Sequence, residues 1–317
     1  MAAVSKKAVQ LVAKLRAKSS TSRDEVVAQL VELGADAVPP LLKALEQSFR
    51  RRNPLAVATI LEGVQVGHRA FAGLEPGQAG DASHKADDPL QDQADLALAR
   101  RSSMEATISV QGSEVRVWTE FRPARPGLWI FGAGDDAQPL LRLAKELGWY
   151  VTVADGRSQL TTRERFPLAD ELHALQVSAL PANKAAAPTS ALANLHTQDA
   201  AVMMTHSFEQ DSRVLASLLS LEAPLAYIGV LGPQRRTREL ITEAIGLLGL
   251  PADPTSSNLD PVERWLARLH APTGLDLGAE SPETIALSVV AEIQKSFTRA
   301  TALPLREVRA AAPANLR

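Results

Sequence analysis

The chain has no cysteine. That absence excludes disulfides, thiolate metal ligands, a cysteine nucleophile and sulfur relay through a thiol of its own. It also lacks an excess of either charge, with 34 basic residues against 36 acidic ones and a net of −2. Nucleic-acid binding through bulk electrostatics is therefore not expected. No apolar run reaches the roughly 18–20 residues of a membrane span, so none is expected and the cytoplasm is the default location. The six histidines are scattered, without H-x-x-x-H or related spacing, and no metal site is expected. Neither G-x-S-x-G nor a P-loop occurs.

What is present is an ordinary globular composition, 45% hydrophobic and 22% charged over 317 residues. That length has room for about two domains. Residues 1–23 carry Lys6, Lys7, Lys14, Arg16, Lys18 and Arg23 and no acid, with Val4, Ala8, Leu11 and Leu15 on one helical face. A basic arm or amphipathic helix is favoured there over a transit peptide of similar composition.

Residues 24–125 form the first domain. The periodicity of Val26, Leu30, Leu33, Val38, Leu41, Leu42 and Leu45 predicts helix over 24–52. "LGADAVPPLLKALE" looks like half of a HEAT-type repeat, but a solenoid needs about three or more copies. "LAVATILEGV" (55–64) reads as a strand, and residues 67–95 as loop or partly disordered. "ATISVQGSEVRVWTEF" (106–121) alternates on both sides of Gln-Gly-Ser, a predicted hairpin. The two prolines of 122–127 suggest a linker.

From 126 to 300 strands and helices alternate. Strands are expected at 128–131, 150–154, 173–177, 201–205 and 225–230, and helices at 137–147, 208–221 and 236–248. The expected fold is α/β, a Rossmann-like parallel sheet with helices on both faces, preceded by a smaller α+β domain. Residues 301–317 form a tail without a readable pattern.

"LWIFGAGDDAQPLL" carries the main motif. Gly132, Gly134 and Ala137 occupy the G-x-G-x-x-G/A positions between strand and helix, and Asp155 ends the next strand. The glycines allow a tight turn, Ala137 allows close packing, and the helix N-terminus can receive an anion. Asp155 could hold ribose hydroxyls. Against this, Asp135 and Asp136 suit the helix dipole, can cap the helix themselves, and repel a pyrophosphate. Arg157 could offset them or reach a 2′-phosphate. A tight connection without a ligand and a phosphate site both remain open.

Other loops fall beyond the carboxyl ends of the strands, where such sheets bind ligands. In "THSFEQD", Ser207 and Gln210 suggest a capping box, and His206 is a loop filler or a proton-transfer residue. "YIGVLGPQRRTREL" places Gly229 and Gly232 before Arg235, Arg236 and Arg238, which could fork onto phosphate or be solvated. "HAPTGLDLGAESPETIALSVVAEI" has Ser281 as N-cap and Pro282 at the first helical position, after a loop containing Gly274 and Asp276. That loop reads as a binding loop or an elaborate cap.

"FGAGDDAQPL", "YVTVADGR" with "RERFPLAD", "MMTHSFEQD", "YIGVLGPQRRT" and the 270–293 segment, in that order, resemble the XdhC/CoxI family over about 126–297. The resemblance is faint over 35–125. It implies a non-catalytic chaperone that binds molybdenum cofactor, assists its sulfuration, and hands it to a xanthine dehydrogenase-like molybdoenzyme together with a cysteine desulfurase. A homodimer is compatible with it. It implies a ligand facing the loops around Gly132, Asp155, His206, Arg235 and Gly274. A pterin phosphate would suit Arg235 and Arg236, and amide-like ring edges would suit Asp155 or Asp276. Many family members have histidine where this chain has Asp135, and cysteine in the first domain, where it has none. Cofactor contacts through pterin and phosphate remain. The alternatives are an NAD(P)-dependent oxidoreductase with His206 as acid/base, and a protein-binding adaptor with a vestigial nucleotide site.

Overall fold

The computed structural model describes residues 38–74, 88–180, 192, 194–221, 225–249 and 269–310. The expectations for 1–37 and for the end of the tail lie outside these residues. The chain divides into two compact units, Met1–Arg125 and Pro126–Arg317.

The first unit is a four-stranded antiparallel sheet, built from β1 (Leu55–Glu62), β2 (Arg69–Ala72), β3 (Met104–Val110) and β4 (Ser113–Arg122) in the order β2-β1-β4-β3. The hairpin forms as expected: Val110 pairs with Ser113 across Gln111 and Gly112, whose φ values are 52° and 78°. Positive φ at both central residues matches the twist of the flanking strands. Among the described residues, α1 (Val38–Arg51) and α2 (Pro89–Arg100) pack against this sheet. Leu90, Ala94 and Ala97 of α2 bury one face of the sheet against Ala56, Ala58, Ile60, Val115 and Val117. Ala44, with Leu41 and Leu45, packs on Leu55, Val57 and Phe71.

Two parts of this unit correct the loop expected over 67–95: β2 falls inside it, and α2 begins inside it. The start of α2 is well marked, because Asp88 caps it by accepting from the Leu90 amide at 3.0 Å and Pro89 stands at the first position. Its inward face is small, with alanine at two of three buried positions, so hydrophobic periodicity is faint there.

In the second unit six parallel strands lie in the order β10-β9-β8-β5-β6-β7. They are β5 (Gly127–Phe131), β6 (Tyr150–Asp155), β7 (Glu171–Ala174), β8 (Ala200–Met203), β9 (Tyr227–Val230) and β10 (Leu269–His270). This is the 3-2-1-4-5-6 order of a doubly wound Rossmann fold, whose order reverses between β5 and β8. α3 (Ala137–Glu146) and α6 (Pro282–Thr298) cover the face that carries Leu128, Ile130 and Val153. α4 (Phe208–Leu219) and α5 (Gln234–Leu247) cover the face that carries Trp129, Phe131 and Met203. Burial on both sides explains why β5, β8 and β9 are apolar without alternation. β10 is not foreseeable from the sequence, since two residues carry no pattern. α7 (Leu305–Ala310) ends the described chain. Among the described residues no helix is long and apolar enough to cross a membrane.

Candidate functional site

Both aspects of the glycine turn rest on its surroundings. Gly132 has φ 129°, and a Cβ there would stand 2.9 Å from the Met204 carbonyl oxygen, so only glycine fits against the end of β8. Gly134 faces open space. Ala137 is fully buried in the core beneath α3. Among the described residues, the amides of Gly134, Asp135 and Asp136 have no protein acceptor. Asp136 takes the N-cap place with helical φ −63° and makes no side-chain cap bond, which corrects the expectation that the aspartates cap the helix. Asp135 is largely exposed and pairs with Arg165 at 2.8 Å.

Asp155 is fully buried at the end of β6. Its carboxylate accepts from the Ala133 amide at 2.8 Å, from the Arg157 amide at 2.9 Å and from the Arg157 guanidinium at 2.8 Å. Burial works against the charge, but the bonds from Arg157 and from the Ala133 amide outweigh it and hold the pKa below the ordinary aspartate value. Asp155 thus closes the glycine turn onto β6.

The next loops are tied to it. Gly156 donates its amide to Gln210 Oε1 at 3.0 Å, and a Cβ on Gly156 would meet that same oxygen at 2.8 Å. Ser207 caps α4 through the Gln210 amide at 3.2 Å, but the Gln210 side chain does not return to Ser207. The expected capping box is therefore only half made, because Gly156 claims that side chain. Gln210 Nε2 is buried without a partner, as is Arg165 Nε. His206 stands exposed between β8 and α4.

Under that loop, fully buried Asp211 takes Thr205 Oγ1 at 2.6 Å and Arg236 at 2.7 Å. Burial dominates and raises the Asp211 pKa despite both bonds. Arg236 is consequently an internal partner, whereas Arg235 is exposed and, among the described residues, pairs with Glu239 on its own helix. Gly232, with φ 125°, makes the turn before α5.

Gly274 and Asp276 belong to a different arrangement. Gly274 has φ 108°, its Cβ would collide with Ser288 Oγ at 2.5 Å, and its amide donates to Glu292 at 2.7 Å. Glu292 also receives Tyr227 Oη at 2.7 Å and faces His270 Nδ1 at 3.0 Å, while Tyr227 stacks on His270. Burial opposes the Glu292 charge, yet the Tyr227, Gly274 and His270 bonds keep its pKa lowered. The capping box of Ser281 with Thr284 forms at the head of α6. Asp276 is exposed on the loop above. Tyr227→Phe removes two buried bonds, including the 2.5 Å contact with Thr273, and should cost about 1–3 kcal/mol in urea unfolding.

Sequence reasoning missed Arg165, Asp211 and Glu292, and read Gln210 only as a capping residue. One signal was available for Asp211: it shares a helix face with the buried Val214, Leu215 and Leu218. Among the described residues no group of His, Asp or Glu could hold a metal ion.

The strand order and the glycine turn define a Rossmann-type domain. A family model described as the XdhC Rossmann domain matches residues 128–293, just over half of the chain, and the chain belongs to the XdhC family. A protein of Bacillus subtilis (strain 168) described as a probable xanthine dehydrogenase subunit is 35% identical over 175 residues, 55% of this chain and 44% of that one. "Uncharacterized protein YqeB" of Escherichia coli (strain K12) is 30% identical over 193 residues, 61% of this chain and 31% of that one. The chain thus spans less than half the length of either curated relative. A solved structure described as a xanthine dehydrogenase from Bacillus halodurans aligns with TM-score 0.44 and 21% identity over 82% of this chain and 94% of that one.

Proposed function

We propose that the protein is a maturation chaperone that binds molybdenum cofactor and assists its sulfuration and insertion into a xanthine dehydrogenase-like molybdoenzyme, working with a cysteine desulfurase. Membership of the XdhC family and the relative named for xanthine dehydrogenase support the client class. The observation that carries the ligand reading is the polarity of the site. A ribose diol needs an acceptor, and Asp155 is engaged by the chain's own Ala133 and Arg157. Gln210 Nε2 and Arg165 Nε are instead buried donors without a protein partner, and a rotation of either side chain would bring it to the carbonyl or ring-nitrogen edge of a pterin.

With no cysteine in the chain, the residues fit the organic part of the cofactor rather than its metal. Gln210 would hold the ring edge, Asp276 an amine-bearing edge, and the Gly134–Asp136 amides with the exposed Arg235 a phosphate. Bound, the cofactor carries the metal centre that the client uses. His206, exposed between β8 and α4, would be the candidate to exchange a proton with a bound ligand.

The test is co-expression with a molybdenum-dependent dehydrogenase, followed by denaturation, oxidation and analysis for pterin fluorescence and for nicotinamide by mass spectrometry. Stoichiometric pterin, lost in Gln210→Ala, is expected. Nicotinamide without pterin would favour the oxidoreductase reading. Client capture with neither ligand, unchanged by substitutions at Gly134 and Arg235, would favour the adaptor.

The acidic turn makes a separate prediction. Asp135→Ala with Asp136→Ala removes two carboxylates beside the free amides and releases Arg165. Pyrophosphate affinity should rise about five- to tenfold in titration calorimetry. An unchanged isotherm would sink the idea that these acids guard the turn.

A further inference from the structure

The first unit carries a cavity of about 180 Å3 between α1 and the sheet face that α2 does not cover. Its construction follows from strand register. Thr59 of β1 pairs with Arg69 of β2 on one side and with Trp118 of β4 on the other. Strands lie about 4.8 Å apart, so Arg69 and Trp118 flank a slot about 10 Å wide. Period-two alternation then places Glu120 and Arg122 on the same face as Trp118. Val57 forms the floor, and Leu45 of α1 forms the far wall.

The lining has an unusual mixture. Trp118 is 37% exposed although it sits in mid-strand, so one wall of the cavity is an accessible indole. Arg69 is half-buried, and burial lowers its pKa because the charged guanidinium is partly withdrawn from water. Arg122 makes only a loose pair with Glu120, at 3.9 Å and with both side chains more than half exposed. A pair of that kind contributes little and can be rearranged by a ligand.

We propose that this cavity is a binding site for a planar heteroaromatic anion of one or two rings, stacked on Trp118 and neutralised by Arg69 and Arg122. Size limits the ligand, because an apolar cavity of about 150 Å3 holds benzene: one ring fits within the cavity of about 180 Å3, and a second would have to extend past the exposed Trp118. Stacking supplies an interaction that any flat π-system satisfies. The two guanidinium groups select an acidic ring or a carboxylate, and Glu120 takes a ring N–H. The site is independent of the carboxyl-end loops of the second unit and of the function proposed for them.

Equilibrium dialysis of the full chain against urate, a two-ring anion, and orotate, a one-ring anion, tests this. Saturable binding of at least one probe is expected. It should weaken about tenfold in Trp118→Ala and largely persist in Trp118→Phe, which keeps a stacking ring. Arg122→Gln should weaken it about fivefold and reduce its salt dependence. Both substituted side chains are substantially exposed, so the variants should fold, and an unchanged thermal melt checks that. No saturable binding of either probe up to about 1 mM, about −4.1 kcal/mol, overturns the proposal. Binding that Trp118→Ala leaves unchanged overturns it equally.

Discussion

Arg236→Ala is expected to lower unfolding stability by about 3–5 kcal/mol near neutral pH, because it leaves the Asp211 carboxylate buried without its cation. Asp211 is fully buried, and Arg236 is the guanidinium that reaches it. Thr205 Oγ1 stays in place but cannot compensate a full charge. The pH dependence follows from the direction of the shift. Burial already raises the Asp211 pKa in the folded state, so its contribution is complete below the unfolded aspartate pKa and is lost as pH rises through the folded one. Removing Arg236 pushes the folded pKa higher still. The destabilisation should therefore be larger at neutral pH than at mildly acidic pH, where more of Asp211 is protonated. Adding Asp211→Asn to the variant should recover much of the loss. Urea unfolding at the two pH values measures both effects, and a loss equal at both would show that the pair does not act through charge.

Asp155→Asn should cost about 2–4 kcal/mol, since it weakens charge-assisted bonds to the Ala133 amide and to Arg157. The shape is kept, but an amide NH2 now faces donors. Here the sign is opposite to that of Asp211. The folded pKa is lowered, so Asp155 stabilises the fold fully above the ordinary aspartate range, and that contribution is lost as pH falls through the folded value. Wild type and variant should converge in stability as the solution is acidified. The glycine turn should also loosen, visible as faster amide exchange at Ala133 than in wild type. Unaltered exchange there would mean that the turn is held by packing alone.

These two carboxylates show how much of the site is legible in the sequence. Asp155 stands where the spacing from Gly134 predicts, at the end of β6. What the spacing does not show is that the Ala133 amide and Arg157 already bond its carboxylate. Asp211 reads in the sequence only as part of a helix start. Acids in a first turn usually serve the dipole from the surface, and the inward rotation of this one depends on where α5 delivers Arg236. Gln210 likewise fits a local capping rule, and a residue 54 positions away overrides it. Local rules name the residue types; partners distant in sequence decide their use.

From its sequence alone the protein is a cysteine-free α/β chain with a glycine turn in register between strand and helix. The parallel sheet, its double covering, the hairpin of the first unit and the Ser281 cap were determined there too. Each follows from interactions between residues near in sequence or from periodicities of two and 3.6. Only the tertiary structure decided that β10 forms, that Gly132 and Gly274 must be glycine, and that Arg236 faces inward while Arg235 faces solvent. It also decided that Gln210 Nε2 and Arg165 Nε are buried without a protein partner. Those outcomes depend on the distance between groups that the chain separates by tens of residues, and burial sets their strength once they meet.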